Sequence, residues 1–281
     1  MLLIFILQIL EKDHGSLNNM KKGDNNSTVT ISAIIIAKNA EDSIENCLKS
    51  LLWCDEIVVV DTGSKDKTLD ICKKYNCRIF NQGGKSYSLW RNVGRSKAQG
   101  KYLIYLDTDE EIDKNLREEM EENVSNWPHN VACFAAPRRN IIFGKWLKHG
   151  GWYPDYVIRL FKKDSLIKWN NDLHEQPEYV GRLEYLKNPI IHYKEKMLSE
   201  MLIKTNKRSE TEAKLMFDAN HPPMTVGRFL SAMFREFWYR FIRNLAFLDG
   251  GEGAIMGIYQ VYSRFISYAK LWEMQLNKDN K

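Results

Sequence analysis

Four short apolar runs alternate with helical patterns over the first 130 residues, and this alternation is the strongest constraint on the fold. The runs are rich in β-branched and aromatic residues, which predicts buried strands. They are Val29–Ala37, Glu56–Val60, Arg78–Phe80 and Tyr102–Leu106. The predicted helices between them are Glu41–Trp53, Asp66–Tyr75 and Ser86–Ala98. Short links between alternating strands and helices predict an α/β fold with a mostly parallel sheet flanked by helices.

Polar residues follow three of these strands directly. They are Lys38-Asn39 after the first strand, Asp61-Thr62-Gly63-Ser64 after the second and Asp107-Thr108-Asp109 after the fourth. Ligands of such sheets bind beyond the carboxyl ends of the strands. We therefore expect all three groups to face one crevice.

Asp107 and Asp109 are two residues apart at the end of a strand, so their side chains point the same way. Two convergent carboxylates need a cation or a proton to neutralise them. Hard oxygen ligands favour Mg²⁺ or Mn²⁺. The alternative is a polar loop after a core strand, and this pair alone does not decide between the two.

The turn from Asp61 to Thr68 has the sequence D-T-G-S-K-D-K-T. Gly63 permits a tight turn, and Ser64 and Asp66 are candidate caps for the next helix. Asp61, at the strand tip, is placed to accept hydrogen bonds from a ribose or a base. A plain capped turn is the alternative, and the position of the turn before the D-x-D strand favours the ligand site.

The pattern loosens between residues 131 and 193. Three further strands are predicted there, Val131–Ala135, Val157–Phe161 and Pro189–Tyr193. The stretches between these strands are rich in Gly, Trp and Asp, and residues 144–155 and 170–175 are predicted to be functional loops.

Residues 196–281 are predicted to form a C-terminal helical region, with helices over 198–217, 225–248 and 254–275. The chain has a formal net charge of +5, and this last third has 13 Lys/Arg against 9 Asp/Glu. Nearly all of the positive excess therefore lies in the helical region. This distribution favours an anionic surface or ligand as its partner.

The predicted helix 225–248 is amphipathic. One sector contains arginines, which are Arg228, Arg235, Arg240 and Arg243. The opposite sector is apolar and contains Phe234, Phe237, Trp238, Phe241, Ile242 and Leu245. Such a helix either packs on a core with its arginines in solvent or lies on an anionic membrane with its arginines at the headgroups. Both interpretations remain open.

The five cysteines are odd in number and lack paired C-x-x-C spacing. They predict reduced thiols of a cytosolic protein. Residues 1–28 are interpreted as an N-terminal extension, either disordered or upstream of a true start at Met20. The apolar opening Met1–Leu10 is too short to span a bilayer and lacks a basic leading region. An interfacial anchor is the other interpretation of that opening.

The order of the strand-tip motifs resembles the family-2 inverting glycosyltransferases, which have the GT-A nucleotide-sugar fold. The matching motifs are Ala37-Lys38-Asn39, the D-x-G-S-x-D-x-T turn at Asp61–Thr68, Arg91-Asn92 and the L-D-x-D-E tip at Leu106–Glu110. The resemblance covers residues 29–275, and it implies a catalytic domain over 29–195. Ala40 stands where many members have Glu after the Asn.

Within that family the chain is most similar to the bacterial branch that adds a glucose-like sugar to the lipopolysaccharide inner core. The motifs that it shares are Trp152-Tyr153-Pro154-Asp155, Arg159-Leu160-Phe161, His174-Glu175, His192-Tyr193 and Asp249-Gly250-x-x-Gly253.

The resemblance also implies roles for individual residues at the donor. Asp61 would bind the nucleoside of a UDP-sugar, and Lys38, Asn39 and Arg91 would line the same donor site. Asp107 and Asp109 would hold Mg²⁺ or Mn²⁺ at the diphosphate, where the metal neutralises charge on the leaving group.

Two further residues have alternative roles. His192 is either a hydrogen-bonded structural histidine or a residue that approaches the metal. Arg159 either pairs with Asp155 or another neighbouring carboxylate, or it binds the diphosphate or an acidic acceptor.

Inversion requires a base that removes the proton of the acceptor hydroxyl group. Glu175 is the first candidate, Asp155 the second and Asp172 the third. The alternative for Glu175 is a salt-bridged residue of a surface loop.

The resemblance thus implies a cytoplasmic, metal-assisted transferase, bound peripherally to the inner face of the cytoplasmic membrane. It would move a sugar from a UDP-sugar to a hydroxyl group of a cell-surface glycan or glycolipid, such as a lipopolysaccharide core. A nucleotidyltransferase acting on sugar phosphates usually needs a glycine-rich basic loop after the first strand, and Ala37–Asp42 has no glycine. A non-catalytic glycan- or RNA-binding module is the third hypothesis. No nucleic-acid motif is present, so nucleic acid is not an expected partner.

Overall fold

The computed structural model describes residues 30–84, 86–171, 175–194 and 197–279. The predicted N-terminal extension and three residues of the predicted loop 170–175, Asp172, Leu173 and His174, lie outside the described residues. The described strands are β1 (Ile31–Ala37), β2 (Glu56–Asp61), β3 (Arg78–Asn81), β4 (Tyr102–Asp107), β5 (Glu110–Glu111), β6 (Val131–Ile142), β7 (Lys145–Trp146), β8 (Tyr156–Lys162), β9 (Leu166–Asn170), β10 (Gln176–Tyr179), β11 (Arg182–Tyr185) and β12 (Ile190–Tyr193). The described α-helices are α1 (Ile44–Ser50), α2 (Thr68–Lys74), α3 (Tyr87–Lys97), α4 (Lys114–Ser125), α5 (Leu198–Asp218), α6 (Val226–Phe237) and α7 (Gly250–Asp279).

One sheet contains ten of these strands. Its main order is β3-β2-β1-β4-β8-β6-β12-β5, and β7 and β11 also pair with β6. Strands β1 to β4 are parallel, as the alternating pattern predicts. Strand β8 runs antiparallel to both β4 and β6. The α/β prediction is therefore confirmed, and the sheet is parallel in its first half and mixed in its second.

The central strand β1 is buried on both faces, which explains its continuous apolar sequence. Ile35 belongs to a core cluster that also contains Leu48 of α1. Ile34 faces the other way, into a cluster with Tyr105 and Phe161. Helix α3 approaches this second face so closely that a Cβ atom at Gly94 would lie 2.3 Å from Ile34 Cγ2.

The strand order reverses at β1, which has β2 on one side and β4 on the other. A crevice forms outside the carboxyl ends of the strands at such a switch point, and ligands bind there. Residues 38–39 follow β1. Asp107 is the last residue of β4, and residues 108–109 follow it. The topology therefore places both predicted groups at the mouth of one crevice.

The prediction of a single helix over residues 225–248 is wrong in its second half. Helix α6 continues as a π-helical turn, Trp238–Arg243, and ends there. The side-chain amide of Asn244 donates to Tyr239 O at 2.8 Å, and the Asn244 N–H bonds the same carbonyl at 3.1 Å. Leu245 follows with a left-handed φ of 50°. Leu245 is therefore outside the helix, and a short 3₁₀ helix, Ala246–Asp249, leads into α7.

The predicted arginine sector is also only partly correct. Arg240 is mostly buried and donates to Glu236 at 2.8 Å and to the carbonyl oxygen of Gly150 at 2.7 Å. It therefore fastens the helix to the loop 144–155 and does not face solvent. No described helix combines the length and the apolar character that a bilayer-spanning segment needs.

Candidate active site

Asp61 lies at the end of β2 and is 4% exposed. Its carboxylate accepts hydrogen bonds from the backbone N–H groups of Gly63 at 3.0 Å and Ser64 at 3.2 Å. Gly63 has a φ of 104°, which residues with side chains rarely adopt. The carboxylate is thus fixed in direction by its own turn. It keeps acceptor capacity for a ligand because an ionised carboxyl group has about four lone-pair sites.

Asn39 joins the loop after β1 to the loop after β2. Its backbone N–H donates to Ser64 Oγ at 3.0 Å, and its side-chain oxygen accepts from the Lys65 N–H at 2.8 Å. It adopts a left-handed φ of 48°, which Asn tolerates better than most residues. Lys38 is exposed beside it. The structure therefore brings Lys38, Asn39 and Asp61 to one edge of the sheet. The hydrogen bonds of Asn39 hold the two loops together.

Seven charged side chains form a continuous chain of alternating sign across the crevice. In order, they are Glu175, Arg91, Asp107, Arg159, Glu110, Arg138 and Asp155. Five of them are sequence-predicted site residues, and Glu110 and Arg138 complete the chain. These residues come from separate elements, so only the tertiary fold brings them together.

Arg91 links the first candidate base to the D-x-D motif. It lies on α3 and is 5% exposed. Its Nη2 atom is 3.3 Å from Asp107 Oδ1 and 3.2 Å from Glu175 Oε1. The guanidinium group also lies 4.8 Å from the ring centroid of Trp169. One buried guanidinium group binds both carboxylates. It therefore holds Glu175 and Asp107 close to each other at the crevice.

Arg159 of β8 binds the other side of Asp107. Its Nη2 atom pairs with Asp107 Oδ2 and lies 2.7 Å from the carboxylate of Glu110. Glu110 is fully buried and also accepts the Asp107 N–H at 3.1 Å. The structure therefore pairs Arg159 with Asp107 and Glu110, and Asp155 pairs with Arg138 instead.

These contacts determine the ionisation of Asp107 and Arg159. Burial alone would raise the pKa of Asp107, but Arg159 and Arg91 outweigh it and hold that pKa well below its ordinary range. Burial would lower the pKa of Arg159, but Asp107 and Glu110 raise it. Both side chains are therefore charged at neutral pH.

Asp109 faces His192, with 3.6 Å between Asp109 Oδ2 and His192 Nε2. The Nδ1 atom of His192 lies 2.8 Å from Asn140 Oδ1. The amide nitrogen of Asn140 donates to Trp152 O at 3.0 Å and to Asp155 Oδ2 at 3.2 Å. These two acceptors fix the direction of the amide, so Asn140 Oδ1 must accept from His192 Nδ1–H. In the neutral ring, the lone pair of Nε2 is then directed towards Asp109.

Asp109 and His192 fit a site for a divalent metal ion, with a bound ligand supplying the remaining donor atoms. A carboxylate oxygen and an imidazole nitrogen suit Mn²⁺, and Mg²⁺ is commonly held by one or two carboxylates together with substrate phosphates and water. Within the described ranges, no group of three or more His, Cys, Asp or Glu side chains could hold a metal. Asp109 and His192 thus bring one carboxylate and one imidazole together, while two arginines engage Asp107.

Asp155 lies at the far end of the charge chain. Its Oδ2 atom accepts from Arg138 Nη2 at 2.6 Å and Nε at 2.9 Å. Arg138 Nη1 is 3.7 Å from Glu110. Asp155 is thus more tightly paired than Glu175. Asp172, the third candidate base, lies outside the described residues.

The sequence patterns assigned no role to three residues of this site. Glu110 and Arg138 complete the charge chain, and Asn140 orients His192. The polar triplet Arg138-Arg139-Asn140 interrupts an apolar run, and that interruption is the signal that could have revealed two of them.

Comparison with known proteins gives a family match and similar relatives. Residues 32–185 match the family model described as glycosyl transferase family 2. An uncharacterized glycosyltransferase of Rickettsia bellii is 24% identical over 265 residues, which cover 89% of this chain and 88% of that protein. The lipopolysaccharide core biosynthesis glycosyltransferase LpsC of Rhizobium meliloti is 24% identical over 258 residues, which cover 86% of this chain and 92% of that protein. Among solved structures, S. aureus TarS 1–349 in complex with UDP-GlcNAc has a TM-score of 0.48 at 16% identity, covering 89% of this chain and 92% of that chain.

Proposed function

This chain belongs to glycosyl transferase family 2 and has its GT-A fold, and on that premise we propose an inverting transfer of a hexose from a UDP-sugar. The acceptor is a hydroxyl group of a cell-surface glycan or glycolipid, of the lipopolysaccharide-core type, and the sugar is glucose-like. The similarity to LpsC supports this class of acceptor. The family match favours transferase activity over nucleotidyl transfer and over a non-catalytic binding module.

One observation carries the proposal. At the switch point of the sheet, the Arg91 guanidinium group joins Glu175 to Asp107, and Asp109, two residues further on, faces His192. A site for diphosphate departure and a carboxylate for proton removal are thus adjacent, as a single displacement requires.

In the proposed donor complex, Asp61 accepts hydrogen bonds from the nucleoside, and Lys38 and Asn39 border it. Asp109 and His192 hold Mg²⁺ or Mn²⁺, with Asp107 adjacent. The metal supplies positive charge that stabilises the departing diphosphate. Arg91 and Arg159 keep Asp107 ionised and in place.

In the proposed reaction, Glu175 accepts the proton of the acceptor hydroxyl group as its oxygen forms a bond to the anomeric carbon. The bond between that carbon and the diphosphate oxygen breaks, and UDP leaves with the electron pair. Glu175 suits this role better than Asp155, because Asp155 accepts two close bonds from Arg138 and one from Asn140. Attack from the face opposite the leaving group inverts the anomeric centre.

The donor and metal roles can be tested by UDP binding. A thermal-shift screen of nucleotide-sugars with and without Mn²⁺ identifies the donor, because a ligand of the native state raises its melting temperature. We expect Asp109→Ala to remove the Mn²⁺-dependent part of UDP binding and to abolish transfer. The matched control is Asp70→Ala, at an exposed acid that pairs with Lys73. Full Mn²⁺-dependent UDP affinity in Asp109→Ala would refute the metal role.

The base is tested separately. Glu175→Gln keeps the shape of the side chain and removes its ability to accept a proton. We expect UDP-sugar affinity to stay within about threefold and turnover to fall by about 10²–10⁴-fold. Glu178→Gln, at an exposed glutamate of β10, is the matched control. The variant could instead bind the donor more weakly and keep the wild-type turnover rate when it is saturated with donor. In that case Glu175 would be a donor ligand and not the base.

We also propose that the enzyme works at an anionic membrane surface. Helix α6 and its π-helical turn present an unpacked apolar face, whose members are Val226 (77% exposed), Leu230 (66%), Phe234 (62%), Phe237 (44%), Trp238 (51%) and Ile242 (47%). Contiguous apolar surface of this kind marks an interaction site. The exposed arginines Arg228, Arg235 and Arg243 flank it, and this combination suits an interface with anionic lipid headgroups.

Vesicle flotation tests the surface. We expect wild-type protein to float with vesicles containing anionic lipid and to lose binding as salt rises, because exposed charges are screened. Leu230→Ser combined with Phe234→Ser should abolish flotation. Ile167→Ser, at an exposed apolar residue of β9, should not. Wild-type protein that stays at the bottom of the gradient at low salt would refute the proposal, and a concentration-dependent dimer in sedimentation would assign the face to a second copy.

A further inference from the structure

A cavity of about 410 Å³ lies between the start of α6 and the second half of α7. The polar side chains that line it are those of His221, Thr225, Arg228, Ser231, Arg235 and Tyr268. None of the described residues at its wall is a carboxylate. Sites for small molecules usually have volumes of about 300–1,000 Å³. The cavity therefore has room for a polar group of a ligand, and its charge favours an anion.

Two arginines of α6 supply the positive charge of this wall. Arg228 and Arg235 are seven residues apart with Ser231 between them, and this spacing places all three on one face of the helix. The Nη1 atom of Arg228 donates to Pro223 O at 3.1 Å. A guanidinium group has five N–H donors, so this bond leaves donors for a ligand. Two such groups on one wall suit phosphate oxygens, which arginine binds through paired hydrogen bonds.

The first turn of α6 adds to this positive charge. The Thr225 side chain caps the helix and accepts the Arg228 N–H at 3.4 Å. The N–H groups at the start of a helix have no partner within the helix, and their partial positive charge favours an anion. Gly227 of the same turn lines the cavity, and a Cβ atom there would meet no atom within 4 Å. The backbone is therefore open to close approach by a ligand.

The link between α5 and α6 is fastened to α7 beside the cavity. The Met224 N–H donates to Gln275 Oε1 at 2.9 Å, and Gln275 Nε2 donates to His221 O at 3.0 Å. The rings of His221 and Tyr268 have their centroids 5.7 Å apart. Gln275 and Tyr268 both belong to α7. The cavity is thus formed before a ligand arrives, which lowers the entropic cost of binding.

The cavity lies next to the exposed apolar face of α6. Val226 and Leu230 of that face directly precede Gly227 and Ser231 of the cavity wall. Successive residues of a helix are about 100° apart, so the apolar face and the cavity wall occupy neighbouring sectors of α6. A free phosphate has no apolar part to cover such a face. A phospholipid has both a phosphate and acyl chains, so it matches the two neighbouring surfaces together.

We propose that the cavity binds the phosphate group of an anionic phospholipid. Arg228 and Arg235 are its cationic ligands, and the acyl chains lie against Val226 and Leu230. This site rests on the membrane attachment proposed above and names its ligand as one lipid molecule held in a basic pocket. Attachment through the general negative charge of a membrane would need no such pocket, so the two modes of binding can be separated by experiment.

Calorimetric titration tests the site with dihexanoyl phosphatidic acid, kept below its critical micelle concentration. Glycerol 3-phosphate is the probe without acyl chains, and dihexanoyl phosphatidylcholine is the probe without net charge. The cavity variant is Arg228→Gln/Arg235→Gln. The matched control is Lys207→Gln/Arg243→Gln, which removes two positive charges at exposed residues that do not line the cavity. Circular dichroism and the melting temperature verify that each variant folds.

We expect wild type to bind the phosphatidic acid at least about tenfold more tightly than either other probe, since both the charge and the chains contribute. The cavity variant should bind it at least about tenfold more weakly, because charge-assisted hydrogen bonds are lost. The control variant should bind as wild type does. Equal affinity for glycerol 3-phosphate would assign a free phosphate ester and overturn the lipid ligand. No binding by wild type, or undiminished binding by the cavity variant, would overturn the site itself.

Flotation of the same proteins with anionic vesicles separates the pocket from the membrane attachment. We expect the cavity variant to lose more binding than the control variant, although both have lost two charges. An equal loss in the two variants would keep the attachment and overturn the pocket. Wild-type protein that does not float, but binds the soluble phosphatidic acid through Arg228 and Arg235, would refute the attachment and support the pocket.

Discussion

Arg159→Met is the sharpest test of the charge chain. Arg159 is 4% exposed and pairs with Asp107 and with the fully buried Glu110. Methionine has a similar length and no charge, so the change removes both ion pairs and leaves little empty space. The carboxylate of Glu110 would then be buried beside a neutral side chain.

The magnitude follows from what remains around each carboxylate. Removing one partner of a buried ion pair costs about 3–5 kcal/mol. Glu110 keeps the Asp107 N–H at 3.1 Å and Arg138 at 3.7 Å, which places its cost at the low end of that range. Asp107 has a 38% exposed side chain and keeps Arg91, so its loss is about 1 kcal/mol or less. We expect a total decrease of about 3–4 kcal/mol in the free energy of unfolding.

The pH dependence provides a second signature. The folded-state pKa of Asp107 is lowered, with Arg159 the principal partner that lowers it. Its stabilising contribution is therefore complete above the unfolded pKa of about 3.9 and is lost as the pH falls towards the lowered folded value. The stability difference between wild type and Arg159→Met should be constant above about pH 5 and should shrink below about pH 4.

Urea denaturation, followed by circular dichroism between pH 3 and 8, measures both quantities. Arg182→Met is the control, because Arg182 pairs with Glu184 at 3.7 Å on the surface and should cost about 0.5 kcal/mol or less. Adding Glu110→Gln to Arg159→Met should recover part of the loss, since a neutral amide needs no counterion. A loss below about 1 kcal/mol, or a difference that grows in acid, would refute the reasoning.

Two other predictions concern packing and the orientation of His192. Gly94→Ala should destabilise the fold by about 1–3 kcal/mol, because its Cβ atom would overlap Ile34 of β1. Thermal unfolding measures this loss. Gly83→Ala is the control and should leave the melting temperature nearly unchanged, because a Cβ atom there meets no atom within 4 Å. Asn140→Leu should weaken the Mn²⁺ dependence of UDP binding by about 10–100-fold, because the His192 ring loses the partner that fixes its tautomer. Calorimetric titration of Mn²⁺ in the presence of UDP tests the second prediction, and an unchanged Mn²⁺ affinity would exclude His192 as an oriented ligand.

The local sequence was sufficient to predict the first half of the fold. The run Ile31–Ala37 is buried along almost its whole length, as a strand covered on both faces must be. Gly63 marked the turn that directs the Asp61 carboxylate. Helix α4 and the strands β9 to β11 were not predicted. The three strands are only four or five residues long, and short strands have weak sequence signals. Strands β9 and β10 pair with each other, and β11 pairs with β6, which lies about fifty residues earlier.

The exposed apolar face of α6 illustrates the same limit. The sequence established that the helix has two faces, but either face of an amphipathic helix can lie outward. The structure decided it, since Ala232 and Phe229 turn towards the neighbouring helix α7 while Leu230 and Phe234 face outward.

The sequence by itself determined the strand runs and the polar strand tips, because each depends on backbone periodicity among near neighbours. Tertiary structure alone decided that Arg159 pairs with Asp107, 52 positions earlier, and that Asn140 directs His192, also 52 positions away. Antiparallel pairing of β8 with β4 and parallel pairing of β12 with β6 bring these residues together. The energy of a buried charge or hydrogen bond depends on its spatial neighbours, and short sequence patterns contain no record of them.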